Sequence, residues 1–231
     1  MLRTTLLALA LPALFACSSG SGEGSSAAST GPSTTGDPTG STAVVRQPRQ
    51  LTQTQLKHTL PMPRDMSSIF SPTQANQPGK DDRSFLCGAD VDHLDRSDAE
   101  AKVGYVAQVG LSLTRYSFRI SQFDSPEVAV DQIQALGDAI DSCTSFTANG
   151  DTYTVAPFSV AGDDEDTIAV QATTKSAGFA VAVNMLMVRT GSSLVASLSA
   201  TIGLAEGSTI DDLVRLSRET VDRYDAEAGV T

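Results

Sequence analysis

The chain has 231 residues and a formal net charge of −11, from 16 Lys and Arg against 27 Asp and Glu. Such an acidic surface repels nucleic acid and anionic lipid headgroups, so nucleic-acid binding is excluded as a function class. With two His and three Cys, no Cys/His ligand spacing exists, and no metal or cofactor is expected.

Residues 1–16 have the layout of a secretory signal: Arg3 is the basic start, and Leu6, Leu7, Leu9, Leu11, Leu14 and Phe15 form an apolar run. The run is too short to span about 30 Å of hydrocarbon as a helix. It ends Leu14-Phe15-Ala16-Cys17, which resembles the bacterial lipobox. The resemblance implies cleavage before Cys17 and a diacylglyceryl thioether on its sulfur; Phe15 departs from the usual small or β-branched residue. The alternative is an ordinary secreted protein with an unpaired thiol, a liability in an oxidising compartment. Residues 17–50, almost all Ser, Gly, Thr, Ala and Pro, read as a lipidated low-complexity tether with a reach of about 30 Å. Two acyl chains anchor stably where one does not.

Residues 51–228 read as one domain. Leu51 to Leu60 suggests a short helix capped by Thr52 and stopped by Pro61 and Pro63. Residues 61–100 suggest a long surface connection carrying Cys87. Val103, Tyr105, Ala107 and Val109 alternate as in a strand, and Gly110 marks a turn. Residues 111–123 suggest a second strand, with a bulge near Thr114 or Arg115 to reconcile Leu111 and Leu113 with Tyr116, Phe118 and Ile120.

Asp124-Ser125-Pro126-Glu127 starts a helix whose stripe is Ala129, Ile133, Leu136, Ile140 and Cys143. With Cys17 spent on lipid, Cys87 and Cys143 are expected to pair, closing a 56-residue loop worth roughly 4 kcal/mol. Two buried free thiols are the alternative. Strands follow around Tyr153–Phe158, Ile168–Ala172, Phe179–Arg189 and Leu194–Ile202, with short turns that require antiparallel neighbours. A last helix opens at Ser208-Thr-Ile-Asp211 and places Ile210, Leu213, Val214, Val221 and Tyr224 on one face. The expected fold is α+β: a twisted antiparallel sheet of about five to six strands, two main helices on one face, and a short N-terminal helix.

Between residues 50 and 228 this pattern resembles the PknH-like extracellular domain of actinobacteria. The resemblance rests on LTQTQLKHTLPMPRDM, the Cys87–Cys143 spacing, SPEVAVDQIQALGDAIDSC and STIDDLVRLSRETVDRY. It implies an antiparallel sheet and helices around a solvent-facing cleft for an unknown ligand. That domain is the external sensor of a membrane Ser/Thr kinase and also occurs alone in lipoproteins. Members often carry two disulfides, whereas this domain can form one. No kinase accompanies it, so a signal would pass through another protein.

No catalytic spacing is present: no G-x-S-x-G, H-E-x-x-H, Walker lysine loop or C-x-x-C. His58 reads as an exposed polar residue. Asp90–Asp95 with Asp98 lacks the central Gly and closing Glu of an EF-hand loop, and Asp163–Asp166 reads as a solvated turn. Arg115, Arg119, Asn184 and Arg189 sit inside apolar strands and must be partnered or wet. They are the candidate ligand-binding residues for an anionic or sugar-like molecule. The competing reading has the arginines paired with carboxylates, stiffening the sheet. The expected function is a non-enzymatic, lipid-anchored, extracytoplasmic ligand-binding or sensor-like domain. The alternative is an envelope adaptor or assembly protein docking a membrane partner. The partners are membrane lipid through acylated Cys17 and an unknown small ligand or envelope protein.

Overall fold

The computed structural model describes residues 48–73, 87, 97–148, 150–161, 166–203 and 209–230. The described strands are β1 (Ser71–Thr73), β2 (Ala99–Val109), β3 (Ser112–Gln122), β4 (Ser145–Ala148), β5 (Asp151–Pro157), β6 (Thr167–Ser176), β7 (Phe179–Thr190) and β8 (Ser193–Ile202). They form one sheet in the order β1-β2-β3-β8-β7-β6-β5-β4, with every neighbouring pair antiparallel. The helices are α1 (Gln53–Thr59), α2 (Pro126–Asp141) and α3 (Thr209–Ala228). The sheet therefore has eight strands, not five to six. The additional two are its edges, β1 and β4, with three and four residues. Edge strands are short by design and β1 contains Pro72, so neither carries a readable alternation.

Local signals explain the element starts. Thr52 accepts from the Gln55 N–H while the Gln55 side chain accepts from the Thr52 N–H, a complete capping box. Pro126 occupies the first turn of α2, where its missing N–H is harmless. No bulge interrupts β3: its register runs unbroken against both β2 and β8. Leu111 lies in the β2–β3 turn, so it does not share the pleat of the strand.

The chain leaves β3 in mid-sheet, crosses as α2 to the far edge, and returns through β4–β8 to fill the gap beside β3. The two long helices consequently cover opposite faces, not one. Ala129, Ile133, Leu136 and Ile140 of α2 pack on Val170, Met185, Met187, Leu194 and Ala196. On the other face, Leu56 of α1 and Leu213, Leu216 and Tyr224 of α3 pack with Tyr105, Phe118, Ile120, Leu186 and Val195. The almost uninterrupted apolar run of β7 is the signature of a strand covered on both sides.

The N-terminal segment docks through backbone-like bonds. The Gln122 side chain accepts from the Leu51 N–H (3.0 Å) and donates to the Leu51 carbonyl (3.1 Å), and the Arg49 N–H donates to the Ala228 carbonyl (2.8 Å). Cys87 and Cys143 form a disulfide with Cα atoms 5.7 Å apart, placed just beyond the end of α2.

The β6–β7 turn puts both central residues, Ala177 (φ 49°) and Gly178 (φ 86°), in the left-handed region. Glycine adopts this freely; alanine does not, at about 1–2 kcal/mol per residue. Asn-Gly suits such a turn best. Ala177→Asn is expected to raise stability by about 0.5–1 kcal/mol, read as a higher urea midpoint at unchanged slope; a lower midpoint would contradict the turn assignment.

Candidate functional site

The arginines of β3 lie on the face that α2 covers further along the sheet. Arg119 is 3% exposed and ion-paired with Glu100, whose other oxygen meets the Lys102 ammonium at 2.7 Å. Arg115 shares that face, is half-buried, and has no ion pair among the described residues. Arg189, also on that face but across β8, is held by Asp166 through two bonds of 2.6 Å from Nε and Nη2. Asn184 points to the opposite face. It is 1% exposed, accepts from the Gln171 amide (2.7 Å) and donates to Ser199 Oγ (3.0 Å). The structure thus places Arg115 and Arg119 together, gives Arg119 and Arg189 carboxylate partners, and separates Asn184 from all three. Cys17, Asp90–Asp95 and Asp163–Glu165 lie outside the described residues.

A groove opens on the α3 face instead. After Pro157 the chain runs through Phe158–Ala161 alongside β6, where the Phe158 N–H donates to the Ala169 carbonyl (3.1 Å). This segment and α3 form two walls, bridged where Arg218 donates to the Ala161 carbonyl. One lobe, of about 440 Å³, has Leu186 and Val188 of β7 and Val160 and Val221 among its lining, and reaches the Arg189–Asp166 pair. A second lobe, of about 480 Å³, extends to Ile210, Asp211 and Val214. Val160, Ala161, Arg218 and Asp222 line both. On α3 the lining residues Ile210, Val214, Arg218 and Asp222 recur every four positions, a stripe beside the buried one of Leu213, Leu216, Ser217, Thr220 and Tyr224. That spacing was readable in the sequence. Its role was not, because the opposite wall comes from residues about 50 positions away.

The groove's charges are largely satisfied internally. Arg215 meets Asp212 at 3.2 Å and Glu219 at 2.9 Å, and Arg218 donates to the Ala161 carbonyl. Asp211 and Asp222 are exposed and have no ion pair among the described residues. Burial raises the pKa of nearby Asp225; hydrogen bonding from Thr190 opposes the shift and the Asp222 charge adds to it.

A second carboxyl pair, Asp98 and Asp124, stands exposed at the end of β2–β3 and the start of α2. Burial and the hydrogen-bonded Asp124 carboxyl raise Asp98 above its ordinary value. Neither residue lines the groove. Among the described residues, no helix is long and apolar enough to cross a membrane.

No family model matches the chain, and no curated protein does either. Among solved structures the fold is similar to the crystal structure of the extracellular domain of PknH from Mycobacterium tuberculosis. The TM-score is 0.52 and the identity 15%, over 78% of this chain and 98% of that one. CalU16 from Micromonospora echinospora matches at a TM-score of 0.29 and 12% identity, over 58% of this chain and 98% of its own, too low to carry an argument. The chain therefore has a PknH-like α+β fold.

Two stability effects follow. Glu100→Gln removes a carboxylate from buried Arg119; the expected loss is about 1–3 kcal/mol in urea unfolding, below the range for a fully buried pair because Glu100 keeps solvent contact. For Asp98 the folded pKa lies above the unfolded one, so its favourable contribution is present at low pH and is lost as pH rises through the folded value. Asp98→Asn mimics the protonated form. It is expected to match the parent at pH 3 and exceed it in thermal midpoint at pH 7; equal midpoints at both would refute the coupling.

Proposed function

We propose that this chain is a lipoprotein anchored at the extracytoplasmic membrane face through acylated Cys17, and that residues 51–228 form a non-catalytic, sensor-like ligand-binding domain. The observation that carries this reading is a fold similar to a domain described as extracellular, combined with a groove that has an apolar floor and polar rims. Concave sites that combine apolar contact with polar groups suit small molecules. The cysteine usage agrees: a disulfide belongs to an oxidising compartment, and Cys17 follows a lipobox-like run. Arg189 reaches the groove with its Asp166 partner, while Arg115 and Arg119 face away from it, so the ligand contacts move to the α3 flank.

One observation favours the adaptor reading as a second possibility. Leu111 (84% exposed), Val109 (61%) and Phe179 (42%) stand at neighbouring hairpin tips at one end of the sheet. Exposed apolar residues grouped this way mark docking surfaces.

Two measurements on the chain in its own envelope test the proposal. Labelled palmitate and the membrane fraction should both retain the parent protein and lose Cys17→Ser; an unlabelled parent would overturn the anchor. Native mass spectrometry of the protein released from that fraction should show a non-covalent small-molecule adduct. A clean apo mass together with a protein crosslinked through Leu111 would turn the conclusion to the adaptor reading.

A further inference from the structure

We infer that the groove beside α3 selects a small ligand with an apolar body and a positive charge. The inference rests on the reading of that groove as a binding site and adds the chemistry of its ligand. The floor is aliphatic: Leu186, Val188, Val160 and Val221 offer no donor or acceptor from their side chains. Recognition of charge must therefore come from the rims. There two of the three arginines are already ion-paired, and the third, Arg218, is hydrogen-bonded to a carbonyl. Nε and Nη2 of Arg189 are closed on Asp166 and its Nη1 donates to the Gly191 carbonyl, Arg215 is bracketed by Asp212 and Glu219, and Arg218 is turned to the Ala161 carbonyl. A ligand carboxylate or phosphate would have to break one of these arrangements before gaining its own.

Asp166 and Glu219 are consumed by these pairs, but two other carboxylates are in the reverse position. Asp222 lines both lobes and Asp211 the second, and neither has an ion pair among the described residues. Asp222 adds its negative potential at Asp225. The chain's charge of −11 adds a long-range field of the same sign, which concentrates cations near the surface. An ammonium beside Asp222, with the apolar body over the partly exposed Val188 and Val221, satisfies both rim and floor without displacing an existing bond.

The test uses the full chain carrying Cys17→Ser, so that no attached lipid competes, and three dansyl probes that share one apolar body. Dansylcadaverine carries an ammonium, dansylamide no charge, and dansylglycine a carboxylate. Binding is read from the blue shift of dansyl fluorescence. Dansylcadaverine should bind about three- to tenfold tighter than dansylamide, with dansylglycine weakest, a range set by one or two partly exposed ion pairs. The preference should fade with added salt and vanish in Asp211→Asn/Asp222→Asn, both sites being exposed enough to leave folding intact. Asp131→Asn, exposed on α2 across the sheet, should keep it. Equal binding of the three probes, a preference for dansylglycine, or a preference that survives the double substitution would overturn the charge assignment and leave the groove as a binding site. Binding of none of them would overturn the groove itself, and the inference with it.

Discussion

The β3–β8 ladder carries the architecture, since it joins the N-terminal hairpin to the C-terminal meander. It pairs Leu113–Gln122 with Ile202–Ser193, segments about 80 residues apart. It forms only after α2 has crossed to the far edge and the chain has returned through four strands. Placing β8 in the centre forces both its faces into contact with helices, and residues 193–201 are buried without exception. One face answers with Leu194 and Ala196 against α2. The other places small hydroxyl residues under α3, where Ser193 donates to the Tyr224 hydroxyl (2.7 Å) and Ser199 accepts from Asn184. The helix meets them with Ser217 and Thr220, whose hydroxyls donate to carbonyls of their own helix. Small residues on both surfaces let helix and strand approach closely at native packing density.

That close approach has a consequence at the flank of α3. The helix sits over β8 and β7, and the sheet extends beyond it to β6 and β5. Phe158–Ala161 covers part of the remainder, and the groove is the gap left between them. Val188 of β7 and Val221 of α3 stay only partly buried along that gap, beside the buried Leu186 and Val160.

Charge is distributed by the same logic. Arginines that enter the sheet need carboxylates within reach, and Glu100 and Asp166 supply them. Asp65 plays that part between the N-terminal segment and α3. Burial by itself would raise its pKa, but the Met62 N–H and Arg223, 2.9 Å away, outweigh burial and hold the carboxyl below its ordinary value. Once these pairs form, the acidic excess remains on the surface, at positions such as Asp211 and Asp222.

Features encoded within a few residues were legible in the sequence. Thr52 with Gln55 predicts the start of α1, Ser125-Pro126 the start of α2, and the short turns an antiparallel meander. The Cys87–Cys143 pair expected once Cys17 is set aside for lipid is the pair the structure forms. The caps and turns hold because they act locally. The tertiary structure alone decided which strands form the edges, because three- and four-residue segments such as β1 and β4 acquire strand character only from a partner. It alone decided that α2 and α3 take opposite faces, because the crossover from β3 to β4 sets the side of one helix and the return from β8 that of the other. It alone decided what each strand arginine meets: spacing places Arg119 and Arg189 within the sheet, but Glu100 and Asp166 reach them across neighbouring strands. A one-dimensional pattern records which face a side chain takes and is silent on what stands opposite it.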